Sequence, residues 1–152
     1  MSRAVFVDTS GWLAAASTRE SRHAEMAAAH DDLAKRRVPL VTTNLVLAEM
    51  HVLIVRERGA RAGCALLDAL YTDPLYRVIS ATRELESEAT DRWLRPCADH
   101  RFSLTNAVSF EVMRVERIEE ALALDHHFEV AGYRLLPPPA SRLPGRRRSA
   151  RR

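Results

Sequence analysis

Short apolar runs alternate with longer segments of helical period along this chain, and this alternation constrains the fold more than any other feature. The first run, Ala4–Val7, is followed by a segment whose apolar residues recur at helical spacing, and the same succession repeats to the end of the periodic pattern. No two runs are joined by a tight hairpin turn sequence. The pattern therefore predicts an α/β fold with a mostly parallel central sheet covered by helices on both faces.

The predicted elements end at Pro137–Pro139, so we predict one domain over residues 1–137. Residues 138–152 contain six arginines, no acidic residue and little to bury, and they are predicted to form a disordered tail. The whole chain carries a net charge of +3, so the remainder without these arginines carries −3. The predicted strands are 4–7, 39–42, 76–80, 121–124 and 133–136, and the predicted helices are 10–17, 20–37, 44–58, 60–71, 82–95, 104–115 and 126–131.

The composition, 47% apolar and 28% charged, is that of a soluble globular protein. No stretch approaches the roughly 18 consecutive apolar residues of a membrane span, and the first apolar run breaks at Asp8, unlike a signal peptide. The two cysteines, Cys64 and Cys97, lack metal-ligand spacing and are typical of free thiols in a reducing compartment. We therefore expect a cytoplasmic protein without a membrane partner.

Three predicted strands end in polar residues and lead directly into helices. Ligands bind beyond the carboxyl ends of the strands in open parallel sheets, and the helix N-termini there offer free N–H groups. The same residues would also serve as helix N-caps, so both interpretations stay open. The polar residues in question are Asp8, Asn44 and Asp125.

Glu49 lies within a predicted helix that is apolar nearly all round from Leu45 to Val55. Such a helix is expected to be buried, and a buried glutamate needs a cation, a hydrogen-bond partner or a raised pKa. An arginine from elsewhere in the chain is one candidate partner, and a metal ion is the other.

Asn106 lies in the first turn of a helix for which Ser103 is the predicted N-cap, and Asp99 precedes that helix. An asparagine in this place is either structural or a neutral ligand beside carboxylates. Carboxylates that converge from separate elements suit a hard divalent cation, Mg²⁺ or Mn²⁺. The candidate polar set is Asp8, Glu49, Asp99, Asn106 and Asp125.

Other chemistries find little support in the sequence. The histidines show no HExxH spacing and there are no cysteine pairs, so zinc is not predicted. The pair His126-His127 is interpreted as a helix start, with a catalytic or substrate role as the alternative. Neither GxGxxG nor a P-loop occurs among the five glycines, and there is no GxSxG elbow.

Four segments in order resemble PIN-domain ribonucleases, specifically the VapC-type toxins of bacterial VapBC toxin–antitoxin modules. They are VFVDTSGWLA, TTNLVLAEMHVLI, DHRFSLTNAVSFEVMR and EALALDHHFEVAGYRLL, and the resemblance covers residues 4–136. It implies a PIN-like three-layer α/β/α fold and a divalent-metal-dependent endoribonuclease that hydrolyses RNA phosphodiester bonds. It also implies a homodimer and neutralisation by a small VapB-type antitoxin.

The resemblance also assigns roles to single residues. Asp8 matches the first-strand acid, Glu49 the helix acid and Asp125 the fourth acidic position. Asn106 stands at the third acidic position, where the family usually has aspartate in SLTDA. The implied catalytic residues are Asp8, Glu49, Asn106 and Asp125, the implied metal ligands are Asp8, Asp99, Asn106 and Asp125, and Ser10 matches a supporting polar residue near the metal.

The departure at Asn106 leaves three functional hypotheses. The first is an active toxin ribonuclease with activity reduced by the missing carboxylate. The second is a catalytically weak PIN-fold module that binds RNA or an antitoxin. The third is a small-molecule or phosphate-binding α/β domain, which would neither cleave nor bind RNA.

Overall fold

A computed structural model describes residues 4–140, and the strands and helices alternate in the predicted order. Residues 1–3 and 141–152 lie outside the described residues, and with them most of the predicted tail (138–152). None of the helices between residues 4 and 140 has the length and apolarity needed to cross a bilayer. The strands are β1 (Val5–Val7), β2 (Leu40–Thr43), β3 (Tyr76–Ile79), β4 (Glu120–Leu122) and β5 (Arg134–Leu136), and the helices are α1 (Thr9–Ala16), α2 (His23–Lys35), α3 (Asn44–Arg58), α4 (Ala60–Thr72), α5 (Arg83–Ala89), α6 (Leu104–Val115) and α7 (His127–Val130).

The five strands form one parallel sheet in the order β3-β2-β1-β4-β5. Phe6 in the central strand β1 is paired with Val41 of β2 on one side and Ala121 of β4 on the other. Every residue of β1 and β2 is buried, as expected for strands covered on both faces, whereas the edge strands β3 and β5 are partly exposed.

The direction in which strands are added reverses once. From β1 the chain proceeds to β2 and β3 on one side, and it then returns across the sheet to β4 and β5 on the other. Because crossovers between parallel strands are almost always right-handed, this order predicts α1 to α4 on one face of the sheet and α5 to α7 on the other. In agreement with this, α1 packs on α2 and α3, α3 packs on α4, and α6 packs on α5 and α7. The three-layer α/β/α prediction is confirmed, with the reversal between β1 and β4.

The predicted helix over 82–95 is divided in the structure. Helix α5 ends at Ala89, and a π-helical turn follows over Thr90–Leu94. The turn carries the Trp93 ring against Phe110, with the ring centroids 5.4 Å apart. The sequence pattern does not reveal this change from an α-helix to a π-helical turn, because the spacing of the apolar residues shifts by only one position.

Helix α3 is buried on one side only, so the prediction that it is buried nearly all round is wrong. Its buried residues, Val46, Leu47, Met50 and Ile54, follow the spacing of a single helical face. Glu49 and Val52 are exposed. The burial argument for a cation at Glu49 therefore fails, although the position of Glu49 in the fold still has to be considered.

Candidate active site

Asp8 and Asp125 lie on either side of the point where the strand order reverses. Asp8 directly follows β1, and Asp125 follows the neighbouring strand β4. In open parallel sheets this is the place where a crevice forms beyond the carboxyl ends of the strands. The topology therefore brings two of the predicted acidic residues to the expected position of a site.

Gly11 allows the first turn of α1 to lie directly against the end of β4. A Cβ atom at Gly11 would stand 2.0 Å from the carbonyl oxygen of Leu122, which is far inside van der Waals contact. The backbone N–H of Asp8 donates to the same carbonyl oxygen at 3.2 Å. Because the two elements are so close, side chains of the first turn of α1 reach the residues that follow β4.

Ser10 joins the two halves of this site. Its Oγ donates a hydrogen bond to Oδ2 of Asp8 at 2.8 Å. The same Oγ accepts from the backbone N–H groups of Leu124 at 3.0 Å and of Asp125 at 3.3 Å. The family resemblance implied only a supporting role near a metal for Ser10, whereas in the structure Ser10 links Asp8 to the backbone of Asp125.

Asp8 is a buried carboxylate that caps α1, which confirms the N-cap interpretation of this residue, whereas its role as a ligand stays a prediction. Its Oδ2 accepts from the backbone N–H of Ser10 at 3.2 Å. Burial raises the pKa of Asp8 above its usual value, the hydrogen bonds from Ser10 oppose this change, and the charge of Asp125 adds to it. A nearby cation would reverse this penalty, because positive charge stabilises the ionised carboxylate.

Asn106 contacts Asp125 through its amide nitrogen. Nδ2 of Asn106 donates to Oδ2 of Asp125 at 3.2 Å, while Oδ1 accepts from the backbone N–H of Ser103 at 3.1 Å. Ser103 Oγ in turn accepts from the backbone N–H of Asn106, which completes a capping box and confirms Ser103 as the N-cap of α6. Both polar atoms of the Asn106 side chain are thus engaged by protein groups.

Glu49 is connected to the site through Thr9, a residue that the sequence analysis did not select. The hydroxyl of Thr9 donates to Oε2 of Glu49 at 3.2 Å, and Thr9 is the immediate neighbour of Asp8. The only available signal was that Thr9 lies between two predicted site residues. Asp99, in contrast, is exposed, and within residues 4–140 no hydrogen bond or ion pair joins it to the other predicted site residues.

The carboxylates of the site lack arginine and lysine partners among the described residues, although Nδ1 of His127 lies 3.2 Å from Oδ1 of Asp125. Within residues 4–140, no arginine or lysine forms an ion pair with Asp8, Glu49 or Asp125, which excludes an arginine partner for Glu49 over that range. Carboxylate oxygens are the donors preferred by Mg²⁺ and Mn²⁺. The carboxylate oxygens of Asp8 and Asp125, without an arginine or lysine partner among the described residues, therefore fit a hard divalent cation.

Comparisons with known proteins agree with this architecture. No protein-family model matches the chain. The chain is 35% identical over 129 residues to the 23S rRNA-specific endonuclease VapC20 of Mycobacterium tuberculosis, in strains CDC 1551 / Oshkosh and H37Rv alike, covering 85% of this chain and 95% of the relative.

Two solved structures resemble the fold. The crystal structure of M. tuberculosis VapC20, described as a Sarcin-Ricin loop cleaving toxin, matches with a TM-score of 0.73 at 34% identity, over 86% of this chain and 96% of that chain. FitAcB from Neisseria gonorrhoeae matches with a TM-score of 0.63 over 91% of this chain and 99% of that chain, and at 11% identity this likeness concerns the fold alone.

Proposed function

The chain belongs to the VapC-type PIN-domain toxins, and from this premise we propose that it is a divalent-metal-dependent endoribonuclease, the toxin of a type II toxin–antitoxin system. The observation that carries the proposal is the Asp8–Ser10–Asp125 arrangement at the reversal of the strand order. It links two carboxylates that have no arginine or lysine partner among the described residues. VapC20, a member of the same family, is a 23S rRNA-specific endonuclease.

The proposed roles follow from these contacts. Asp8 and Asp125 bind Mg²⁺ or Mn²⁺, and Ser10 fixes their separation. When bound, the cation supplies positive charge that acidifies a water molecule and stabilises the charge that develops on the scissile phosphate. Glu49, exposed and oriented by Thr9, accepts a proton from the attacking water. Asp99 stays a predicted metal ligand, although within residues 4–140 no hydrogen bond or ion pair joins it to Asp8, Glu49 or Asp125.

Asn106 reduces the activity in this proposal. An asparagine carries no charge to attract a cation and does not accept a proton from water at neutral pH. In addition, its Oδ1 already accepts from the Ser103 N–H, so binding a metal through that oxygen would break the capping box. A weak nuclease is therefore the expected phenotype.

The proposed partners are RNA, a small VapB-type antitoxin and a second copy of the chain, in the cytoplasm. Adjacent helices α3 and α4 each expose an apolar side chain, Val52 and Tyr71. An amphipathic antitoxin segment would bind in a groove formed by such helices, and the homodimer is the competing use of the same surface. Co-purification with a small partner encoded upstream would distinguish the two.

The nuclease proposal is tested by cleavage of a sarcin–ricin loop oligonucleotide, chosen because of the substrate named for VapC20. The full chain is incubated with the RNA in Mg²⁺, in Mn²⁺ and in EDTA. We expect slow cleavage that needs the cation and is abolished in Asp8→Asn and in Glu49→Gln. Asp91→Asn is the control, because Asp91 is exposed and pairs with Arg95 at 2.8 Å. Cleavage in EDTA, or by Asp8→Asn at the original rate, would contradict the proposal.

A catalytically weak module that binds RNA or an antitoxin is the second candidate. The Asn106–Asp125 hydrogen bond favours it, because a neutral donor occupies the side of Asp125 where the family usually has a carboxylate. This candidate predicts RNA binding or a stable antitoxin complex without cleavage in either Mg²⁺ or Mn²⁺. Gel-shift and cleavage assays on the same RNA separate the two functions.

A further inference from the structure

Three consecutive residues after β4 bring one carboxylate and two imidazole rings together. Nδ1 of His127 lies 3.2 Å from Oδ1 of Asp125, and Nδ1 of His126 lies 4.0 Å from the same oxygen. One ligand atom from each of the three side chains lies within 4.8 Å of the other two. This mixed group differs in chemistry from the carboxylate pair of the proposed nuclease site.

The side chains of Asp125 and His127 are held in place by their neighbours. Oδ1 of Asp125 accepts a hydrogen bond from the backbone N–H of His127 at 2.9 Å, and Oδ2 accepts one from Nδ2 of Asn106. The carboxylate is therefore fixed with Oδ1 facing the histidines. The ring of His127, only 23% exposed, packs edge-on against Phe102 with centroids 5.3 Å apart. His126 is 75% exposed and its ring lies 4.4 Å from that of His127. The group is therefore open to solvent on one side and ordered on the other.

Imidazole nitrogen changes which cations such a group selects. Mg²⁺ prefers oxygen ligands, whereas two imidazoles and one carboxylate are a ligand set typical of Zn²⁺ and other late divalent transition metals. A neutral histidine with its proton on Nε2 presents the Nδ1 lone pair that such a bond needs. We propose that Asp125, His126 and His127 bind one Zn²⁺ ion, with water completing the coordination.

Such a site would inhibit the nuclease, a consequence that rests on the proposed function. Asp125 belongs to both ligand sets, and its two oxygens face different neighbours. Zn²⁺ on the histidine side draws charge from Asp125 and places a second cation beside the Mg²⁺ position. Zn²⁺ therefore acts as an inhibitor that added Mg²⁺ only partly displaces, because imidazole nitrogens bind Mg²⁺ much more weakly than they bind Zn²⁺.

Binding of Zn²⁺ is measured first, by calorimetric titration of the full chain with ZnCl₂ in excess Mg²⁺. We expect one Zn²⁺ per chain and at least a tenfold loss of affinity in the double variant His126→Ala/His127→Ala. The matched control is His100→Ala, since this exposed ring stacks on Phe102 and makes no contact with Asp125. Co²⁺ provides a second readout, because its visible absorption bands should appear with the wild-type chain and His100→Ala and be lost in the double variant.

The outcomes separate this site from the nuclease proposal. Unchanged Zn²⁺ affinity in a folded double variant, or no binding by the wild-type chain, overturns the site. If RNA is cleaved, Zn²⁺ should inhibit His126→Ala at least tenfold less strongly than wild type, and equal inhibition refutes the regulatory role. If RNA is not cleaved at all, the nuclease proposal fails while the calorimetric and Co²⁺ results still decide the metal site.

Discussion

Asn106 donates a hydrogen bond from Nδ2 to Oδ2 of Asp125, with the two atoms 3.2 Å apart. A carboxylate at position 106 could not donate this bond unless it were protonated. The amide thus supplies to Asp125 the partial positive charge that a bound cation would otherwise supply, and it does so without a metal. We therefore expect Asn106 to lower the affinity of the proposed site for a cation, compared with an aspartate at this position.

Replacing Asn106 with Asp should raise metal-dependent cleavage at least tenfold, equivalent to about 1.4 kcal/mol of barrier. The new carboxylate adds a negative charge beside Asp125, and it can still accept the Ser103 N–H of the capping box. Metal-free Tm should fall and should rise more strongly with added Mg²⁺ than in wild type. Asn44→Asp is the control, because Asn44 contacts the backbone N–H of Ala81 instead. Equal cleavage rates in Asn106→Asp and wild type would place position 106 outside the reacting groups.

The buried carboxyl group of Asp8 should make the metal-free protein less stable as the pH rises. The pKa of Asp8 in the folded state lies above its ordinary value of 3.8, so the folded state binds more protons than the unfolded state between these two pKa values. The free energy of unfolding should then fall as the pH passes from the unfolded to the folded pKa. Asp8→Asn keeps an oxygen to cap α1 and should remove this fall, as measured by urea unfolding in EDTA from about pH 4 to about pH 7. If the free energy of unfolding changed with pH in the same way in both proteins, the raised pKa of Asp8 would be refuted.

Gly11→Ala should destabilise the protein by about 1–3 kcal/mol. The added methyl group meets the backbone carbonyl of Leu122, which cannot move without displacing β4. Gly63→Ala is the matched control, because the atoms nearest to its methyl group would belong to the side chains of Val55 and His51 and not to the backbone. Chemical unfolding of both variants should show the larger loss for Gly11→Ala, together with weaker RNA cleavage, and the reverse order would refute the close contact.

Glu111→Gln should reduce the free energy of unfolding by about 1–3 kcal/mol. The Glu111 side chain is inaccessible to solvent and binds Trp93 Nε1 at 3.0 Å, Arg114 Nη2 at 2.6 Å and Arg92 Nε at 3.2 Å. Burial alone would raise the pKa of Glu111, but the hydrogen bonds from Arg114 and Trp93 bring it below its usual value.

The stabilisation from Glu111 should be full above the unfolded value of 4.5 and should be lost as the pH falls through the lower folded pKa. Glu119→Gln is the control, because the Glu119 side chain forms an exposed pair with Arg134 and no other ion pair within residues 4–140. This variant should change the free energy of unfolding by less than about 1 kcal/mol. Acid unfolding curves for the two variants measure the difference. A Glu111→Gln variant as stable as Glu119→Gln would contradict the predicted role of this network.

The sequence alone determined the local structure and the order of the elements. Apolar runs such as Val5–Val7 bury themselves as strands, and helix ends such as Ser103 are encoded by residues within one turn. The sequence therefore predicted that Asp8 and Asp125 follow two strands. In a parallel sheet, the ends of these strands lie at the same edge, so the two residues lie there as well. The identity of the family followed from four such segments in order.

Only the tertiary structure decided which polar groups are buried and what they contact. The expected buried glutamate was Glu49, yet the buried one is Glu111, whose indole partner comes from a π-helical turn that periodicity does not reveal. The bridge made by Ser10 and the donor role of the Asn106 amide are likewise decided by contacts across about 20 to 115 positions of the chain. Burial and hydrogen-bond direction depend on groups brought together from distant segments, whereas strand and helix formation depend mainly on near neighbours.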